Sequence, residues 1–140
     1  MSAEEDNKAA LTAFYRKALT VNTETQPGAV LDGVLAADFV SINGKGSKPK
    51  AALMAQVEGF WKLIPNLKWE PQEMVVSGAK HVVRSIATGN PVGEFMGLTL
   101  DGSRAFLIDT IDIHTLENGQ IKSVYHLEDW ATGIAQLKSG

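Results

Sequence analysis

Apolar residues recur at helical spacing near the start of the chain, at Leu11, Phe14, Tyr15, Ala18 and Leu19. Ser2-Ala-Glu-Glu5 ahead of them has the form of a capping box, so the pattern predicts an amphipathic helix over residues 3–20. The polar stretch 22–27 reads as a loop. Pro27 suits the first turn of a short second helix, whose apolar face is Val30, Leu31, Val34 and Leu35. Residues 38–42 look like a short strand, and 43–47 a glycine-containing loop. Ser47 and Pro49 mark another helix start, carried on by Leu53, Val57, Phe60, Trp61 and Ile64 and stopped at Pro65. The period then changes. Leu67 and Trp69 alternate with Lys68 and Glu70, and Met74 to Val76 continue after Pro71. Residues 77–79 signal a hairpin, and 81–86 a strand. Residues 93–97 form a short extended piece between glycines. Residues 105–114 form a long β-like run, Asn118-Gly119 a tight turn, and 121–130 the last strand. A short helix is expected at 133–137. Helices first and a strand meander afterwards argue an α+β fold, with helices packed on one face of a curved antiparallel sheet.

The chain has 140 residues, the size of one domain, and no internal repeat or linker divides 1–140. With 44 % hydrophobic residues it can bury a core and enclose a pocket. Thirteen Lys and Arg against sixteen Asp and Glu leave a net charge of −3, which gives no footprint for nucleic acid or an anionic membrane. The densest basic group is Lys45, Lys48 and Lys50. The absence of cysteine removes a disulfide framework, a thiolate metal site and a cysteine nucleophile. The first residues lack the basic and apolar regions of a signal peptide, and no apolar run reaches the ~18 residues of a membrane helix. A cytoplasmic location and no membrane partner are the expectation.

A sheet closed by helices would present polar groups from apolar strands to a small molecule. The candidates are Tyr15, Asn43, Trp61, Arg84, Asp109, Asp112, His114, Tyr125, His126 and Asp129. By two-residue alternation Asp129 shares a face with Ile121, Ser123, Tyr125 and Leu127. If that face lines the pocket, burial raises its pKa and fits it for general acid–base work. Alternatively Asp129 caps a helix beginning at Trp130. His126 falls on the opposite face, and a structural role is the commoner one for a strand histidine. His81 and His114 are expected at the surface. Asp109 and Asp112 lie on opposite faces of one strand, so one of them can reach the pocket. Arg84 either pairs with a pocket carboxylate or lies on the solvent face. Trp61 and Tyr15 at core spacing are equally read as plain packing. No histidine pair has the spacing of a metal site, and Gly44-Lys-Gly46 and Gly93–Gly97 lack phosphate-loop spacing.

Arg84, Gly93-Glu-Phe-Met-Gly97, Asn118-Gly-Gln-Ile121, Tyr125, Asp129 and the ending Gly133-Ile-Ala-Gln-Leu137 together resemble the SnoaL-like polyketide cyclases of the NTF2-like superfamily. Asp38-Phe-Val40 and residues 50–60 resemble the family's first strand and long helix. The resemblance implies a cone-shaped α+β barrel, a homodimer, and aldol ring closure without metal or organic cofactor. It implies a pocket acid/base at Asp129, with Asn43, Arg84, Tyr15 or Tyr125 steadying an enolate and Trp61 and Asp109 among the binding residues. Asn90-Pro91 replaces the histidine that often precedes G-x-F-x-G, and Tyr125 replaces a tryptophan.

Three functions compete. The first is a cofactor-independent cyclase, or an isomerase-like lyase, acting on a small hydrophobic or aromatic carbonyl compound. The second is a non-catalytic small-molecule binding protein with the same pocket. The third is an interaction module whose cavity is filled by Phe60, Trp61 and Met96.

Overall fold

The computed structural model describes residues 2–138. Helix α1 (Ala3–Ala13) begins where Ser2 Oγ accepts the Glu5 amide at 3.1 Å. It does not run on to residue 20 as an α-helix. Residues Phe14–Ala18 form a π-helical turn, closed by the Leu19 amide on the Phe14 carbonyl at 3.0 Å. The wider turn lets the neighbours Phe14 and Tyr15 both face inward, along with Ala18. Helix α2 (Pro27–Val34) has its proline in the first turn, where the missing N–H costs nothing. Helix α3 (Lys50–Leu63) starts just after Pro49 and buries Leu53 and Val57.

The strands are β1 (Leu35–Asn43), β2 (Gly46–Pro49), β3 (Lys68–Ser77), β4 (Lys80–Gly89), β5 (Val92–Phe95), β6 (Leu98–Asp101), β7 (Phe106–Glu117) and β8 (Gln120–Glu128). Six of them form one sheet in the order β2-β1-β8-β7-β4-β3, and β5-β6 is a separate hairpin. The sheet is mixed rather than wholly antiparallel, because β1 runs parallel to β8. Parallel pairing needs a crossover, so the first strand, laid down between helices, joins the last strand of the meander. The sheet is curved and stays open at β2 and β3. Residues 93–97, expected as one extended piece, instead end β5 and turn at Met96-Gly97. Both turn residues have positive φ, as do Asn118 and Gly119 in the expected β7–β8 turn.

Helix α4 (Trp130–Lys138) is the last element among the described residues. The core lies between α1, α3 and the inner sheet face, with Leu11, Phe14, Leu31, Val57, Leu67 and Ile108 among its members. Gly89 is required there: a Cβ would come within 2.3 Å of Ile64 Cγ2.

Candidate functional site

Along β7 the inner row is Phe106, Ile108, Thr110, Asp112 and His114, all buried. Its middle is polar. The neighbouring inner residues on β8 are Val124, His126 and Glu128, with Asp112 opposite His126 and Thr110 opposite Glu128. On the other side Val83 faces Asp112 and the buried Ser85 faces Thr110. A cavity of about 410 Å³ opens over this ladder. Asp112, His126, Glu128, Ser41 and Val124 form its sheet wall, Leu53, Val57 and Phe60 its α3 wall, and Trp69, Phe14 and Trp130 further sides. The β1–β2 turn, Gln56 and Met96 also line it.

Asp112 lies at the middle of the polar ladder. Tyr15 donates its hydroxyl proton to Asp112 Oδ2 at 2.5 Å, and His114 Nε2 lies 2.7 Å from the same hydroxyl. With the tyrosine proton on Asp112, His114 must be the Nε2–H donor to Tyr15. Burial pushes the Asp112 carboxyl up to about 7; the Tyr15 hydrogen bond pulls the other way, Glu128 adds to the rise, and His126 opposes it. Both protonation states are thus populated near neutrality. Tyr15 itself is held protonated by burial and by the charge of Asp112. Burial pushes His114 down to about 3. It is neutral, so its 4.0 Å approach to Asp112 is no ion pair.

His126 Nδ1 meets Glu128 Oε2 at 2.7 Å, and that hydrogen bond raises its pKa. The arrangement fixes the ring with Nδ1–H on Glu128, so Nε2 accepts when the ring is neutral and donates to anything in the cavity when the ring is protonated. Trp69 Nε1 donates to Thr110 Oγ1 at 3.1 Å, which ties the aromatic side of the cavity to the polar ladder.

Asp129 is elsewhere. It is exposed at the end of β8, where it accepts the Thr132 amide at 3.2 Å and the Thr132 hydroxyl at 2.7 Å. Those two bonds lower its pKa. It caps α4, and the pocket reading of Asp129 is corrected. The reason is a bulge: Leu116 pairs with Ile121 but Thr115 pairs with Ser123, so Lys122 is an extra residue. Counting by twos from Ile121 therefore gives the wrong face for everything after it.

The same parity places Tyr125 on the outer face, 47 % exposed. Asp109 also lies on that face, exposed, and Arg84 there pairs with Glu73 at 2.6 Å. Trp61 stands outside the cavity lining and donates to the Ala18 carbonyl at 2.7 Å, tying α3 to the π-turn. Asn43 does line the mouth, but its Oδ1 accepts the Lys45 amide at 2.9 Å and shapes the turn. Tyr15 reaches the site from behind, through Asp112. His81 and His114, expected outside, are buried neighbours on β4 and β7. The cavity is not filled by Phe60 and Met96, which line it. Sequence reasoning underweighted Asp112 and His126 and passed over Glu128. Their signal was a polar run inside an otherwise apolar strand pair, blurred because the outer row of β7 is just as apolar as the inner.

A family model of SnoaL-like polyketide cyclases matches residues 10–137. The chain belongs to that family, as its motifs indicated. Among solved structures, a protein of Jannaschia sp. CCS1 described as a SnoaL-like polyketide cyclase superposes with a TM-score of 0.84 at 17 % identity, covering 97 % of this chain and 94 % of its own. IdmH of Streptomyces antibioticus, described as a polyketide cyclase, gives 0.73 at 19 %, with 98 % and 99 % covered. AclR of Streptomyces galilaeus, described as a hydroxylase, gives 0.77 at 18 %, with 97 % and 86 % covered. All three activity assignments are provisional in those descriptions. At these identities the likeness shows the fold alone. No curated protein matches. Among the described residues no three His, Asp or Glu are grouped to hold a metal, and no helix is long and apolar enough to cross a membrane.

Proposed function

We propose that this chain is a cofactor-independent acid–base enzyme of the cyclase type, acting on a small, largely apolar carbonyl compound, with Asp112 as the proton carrier. The observation that carries the reading is a buried carboxyl in a cavity with its pKa brought near neutrality and one oxygen held by Tyr15. Ionised Asp112 removes a proton from a carbon flanked by carbonyls. The enolate carbon attacks a ketone carbon of the same molecule, and a C–C bond forms. Asp112 then returns the proton to the new alkoxide. His126 in its imidazolium form, with Glu128 on Nδ1, turns Nε2–H to the enolate oxygen and stabilises it.

The test is α-proton exchange of a β-ketoester such as ethyl benzoylacetate in D2O, followed by NMR. Exchange above buffer that is lost in Asp112→Asn and kept in Asp129→Asn supports the reading. Binding without exchange in the wild-type chain favours the alternative, a small-molecule binding protein.

The assembly that goes with this reading is a homodimer through the outer sheet face. Ile42, Tyr125, Ile113, Val82 and Val75 form one row across five strands, with Ile111 and Leu127 beside it. Leu127 is 62 % exposed and Val75 60 %. A patch of that extent is covered in most proteins, and a two-fold axis lets one such face cover its copy. Sedimentation velocity on wild type and Leu127→Asp decides it: a wild-type monomer rejects the dimer.

A further inference from the structure

We propose that the compound this cavity receives is an anion, whose carboxylate is held by Lys48 beside Ser41 while its carbonyl end reaches His126 and Asp112. The inference deepens the acid–base reading and rests on it for the carbonyl end only.

Ser41 and Lys48 are register partners across β1 and β2, and both line the cavity. Ser41 is 2 % exposed, and its hydroxyl has no hydrogen-bond partner. A buried hydroxyl without a partner is costly, and one on a cavity wall gains a partner when its side chain turns toward what fills the cavity. Lys48 Nζ donates to Gln56 Oε1 at 2.7 Å. That neutral partner holds the ammonium at the mouth without cancelling its charge, and it leaves the Gln56 amide N–H groups free to turn inward. Among the described residues, no carboxylate lies within 4.0 Å of Lys48 or Lys45, whereas Lys8, Lys50, Lys68 and Lys122 each have one. The nearest acids in the cavity are already committed, Glu128 to His126 and Asp112 to Tyr15.

The mouth of the cavity is therefore cationic in a chain of net charge −3, with a hydroxyl and an amide beside the cation. That set matches a carboxylate, which takes charge from the ammonium and hydrogen bonds from both neutral donors. A neutral ester would leave the ammonium without a counter-charge. The charge of Lys48 also opposes protonation of His126. An anion on Lys48 relieves that opposition, so more of His126 is in the imidazolium form as the substrate arrives.

Titration calorimetry with 1-naphthoate and methyl 1-naphthoate tests the inference on the wild-type chain, Lys48→Met, Lys48→Arg and Ser41→Ala. The acid should bind at least tenfold more tightly than the ester. Lys48→Met should remove that preference by weakening the acid about tenfold and the ester less than twofold. Lys48→Arg should keep the preference, Ser41→Ala should weaken the acid several-fold, and added salt should weaken the acid alone. Equal affinity for acid and ester, equal loss of both in Lys48→Met, or no binding of either at millimolar concentration overturns it. Asp112→Asn separates the two readings. An acid preference without proton exchange rejects the enzyme and leaves the anion site; exchange without an acid preference does the reverse.

Discussion

The two faces of β7 differ in one respect that composition hides. Inward, Phe106, Ile108, Thr110, Asp112 and His114 are covered by helices and by the walls of the cavity. Outward, Leu107, Ile111 and Ile113 are open, and Asp109 among them is a solvated carboxylate. Each row holds one aspartate, three residues apart. Only the inner one has lost its water, and only the inner one lines the cavity. The proposed chemistry rests on placing an ordinary residue where solvation is withdrawn and a single donor, Tyr15, is supplied instead.

The sharpest way to break this contrast is to exchange the carboxyls for amides. Asp112→Asn should lower α-proton exchange by about 10²–10⁴-fold, the usual span for losing a general base. Asp109→Asn should leave the rate within about twofold; a large loss there would mean that the outer face takes part. Side-chain truncation measures the same contrast in stability. Ile108 is 1 % exposed and Ile111 is 47 % exposed. Ile108→Ala should cost about 2–5 kcal/mol in denaturant unfolding, the range for buried aliphatic truncation. Ile111→Ala should stay within about 0.5 kcal/mol at concentrations where the chain is monomeric.

Acid stability sharpens the comparison further, because two inner groups work against each other. Asp112 has its pKa raised to about 7, so between there and its unfolded value near 3.9 the folded state holds the extra proton. That makes stability rise as pH falls. His114 has its pKa lowered to about 3, so below about 6.5 the unfolded state holds the extra proton. That makes stability fall as pH falls, until His114 titrates in the folded state. The two slopes nearly cancel from pH 6.5 to 4. Asp112→Asn should uncover the His114 slope, about 1.4 kcal/mol per pH unit, in unfolding curves taken across that window. A flat profile in the variant would show that His114 is not buried neutral. The smallest effect belongs to Asp129. Asp129→Ala should lower the unfolding midpoint slightly through loss of the α4 cap, with proton exchange unchanged. Loss of exchange in that variant would return Asp129 to the chemistry.

Much of the fold was legible in the chain. The Ser2 cap, Pro27 in a first turn and the Asn118-Gly119 turn are local events, decided by a few adjacent residues. The family motifs led correctly to the SnoaL-like fold. The site was less legible. Asp112 was named as one of two possibilities, because alternation separates it from Asp109 but does not say which side is covered. His126 was assigned correctly to the face opposite Asp129, yet the cavity lies on the His126 side. The error sits at one residue, Lys122, where the bulge shifts every later side chain on β8 to the other face.

What the sequence determined by itself is therefore what short range can encode: helix stripes, caps, tight turns and strand periods. The tertiary structure decided which face of each strand is inside. It paired β1 with β8 from opposite ends of the chain and placed the bulge. Through the π-turn it also brought Tyr15 against Asp112, 97 residues away. A carboxyl's pKa depends on the water it has lost and the donors it has gained. Both are set by parts of the chain that meet only when it folds.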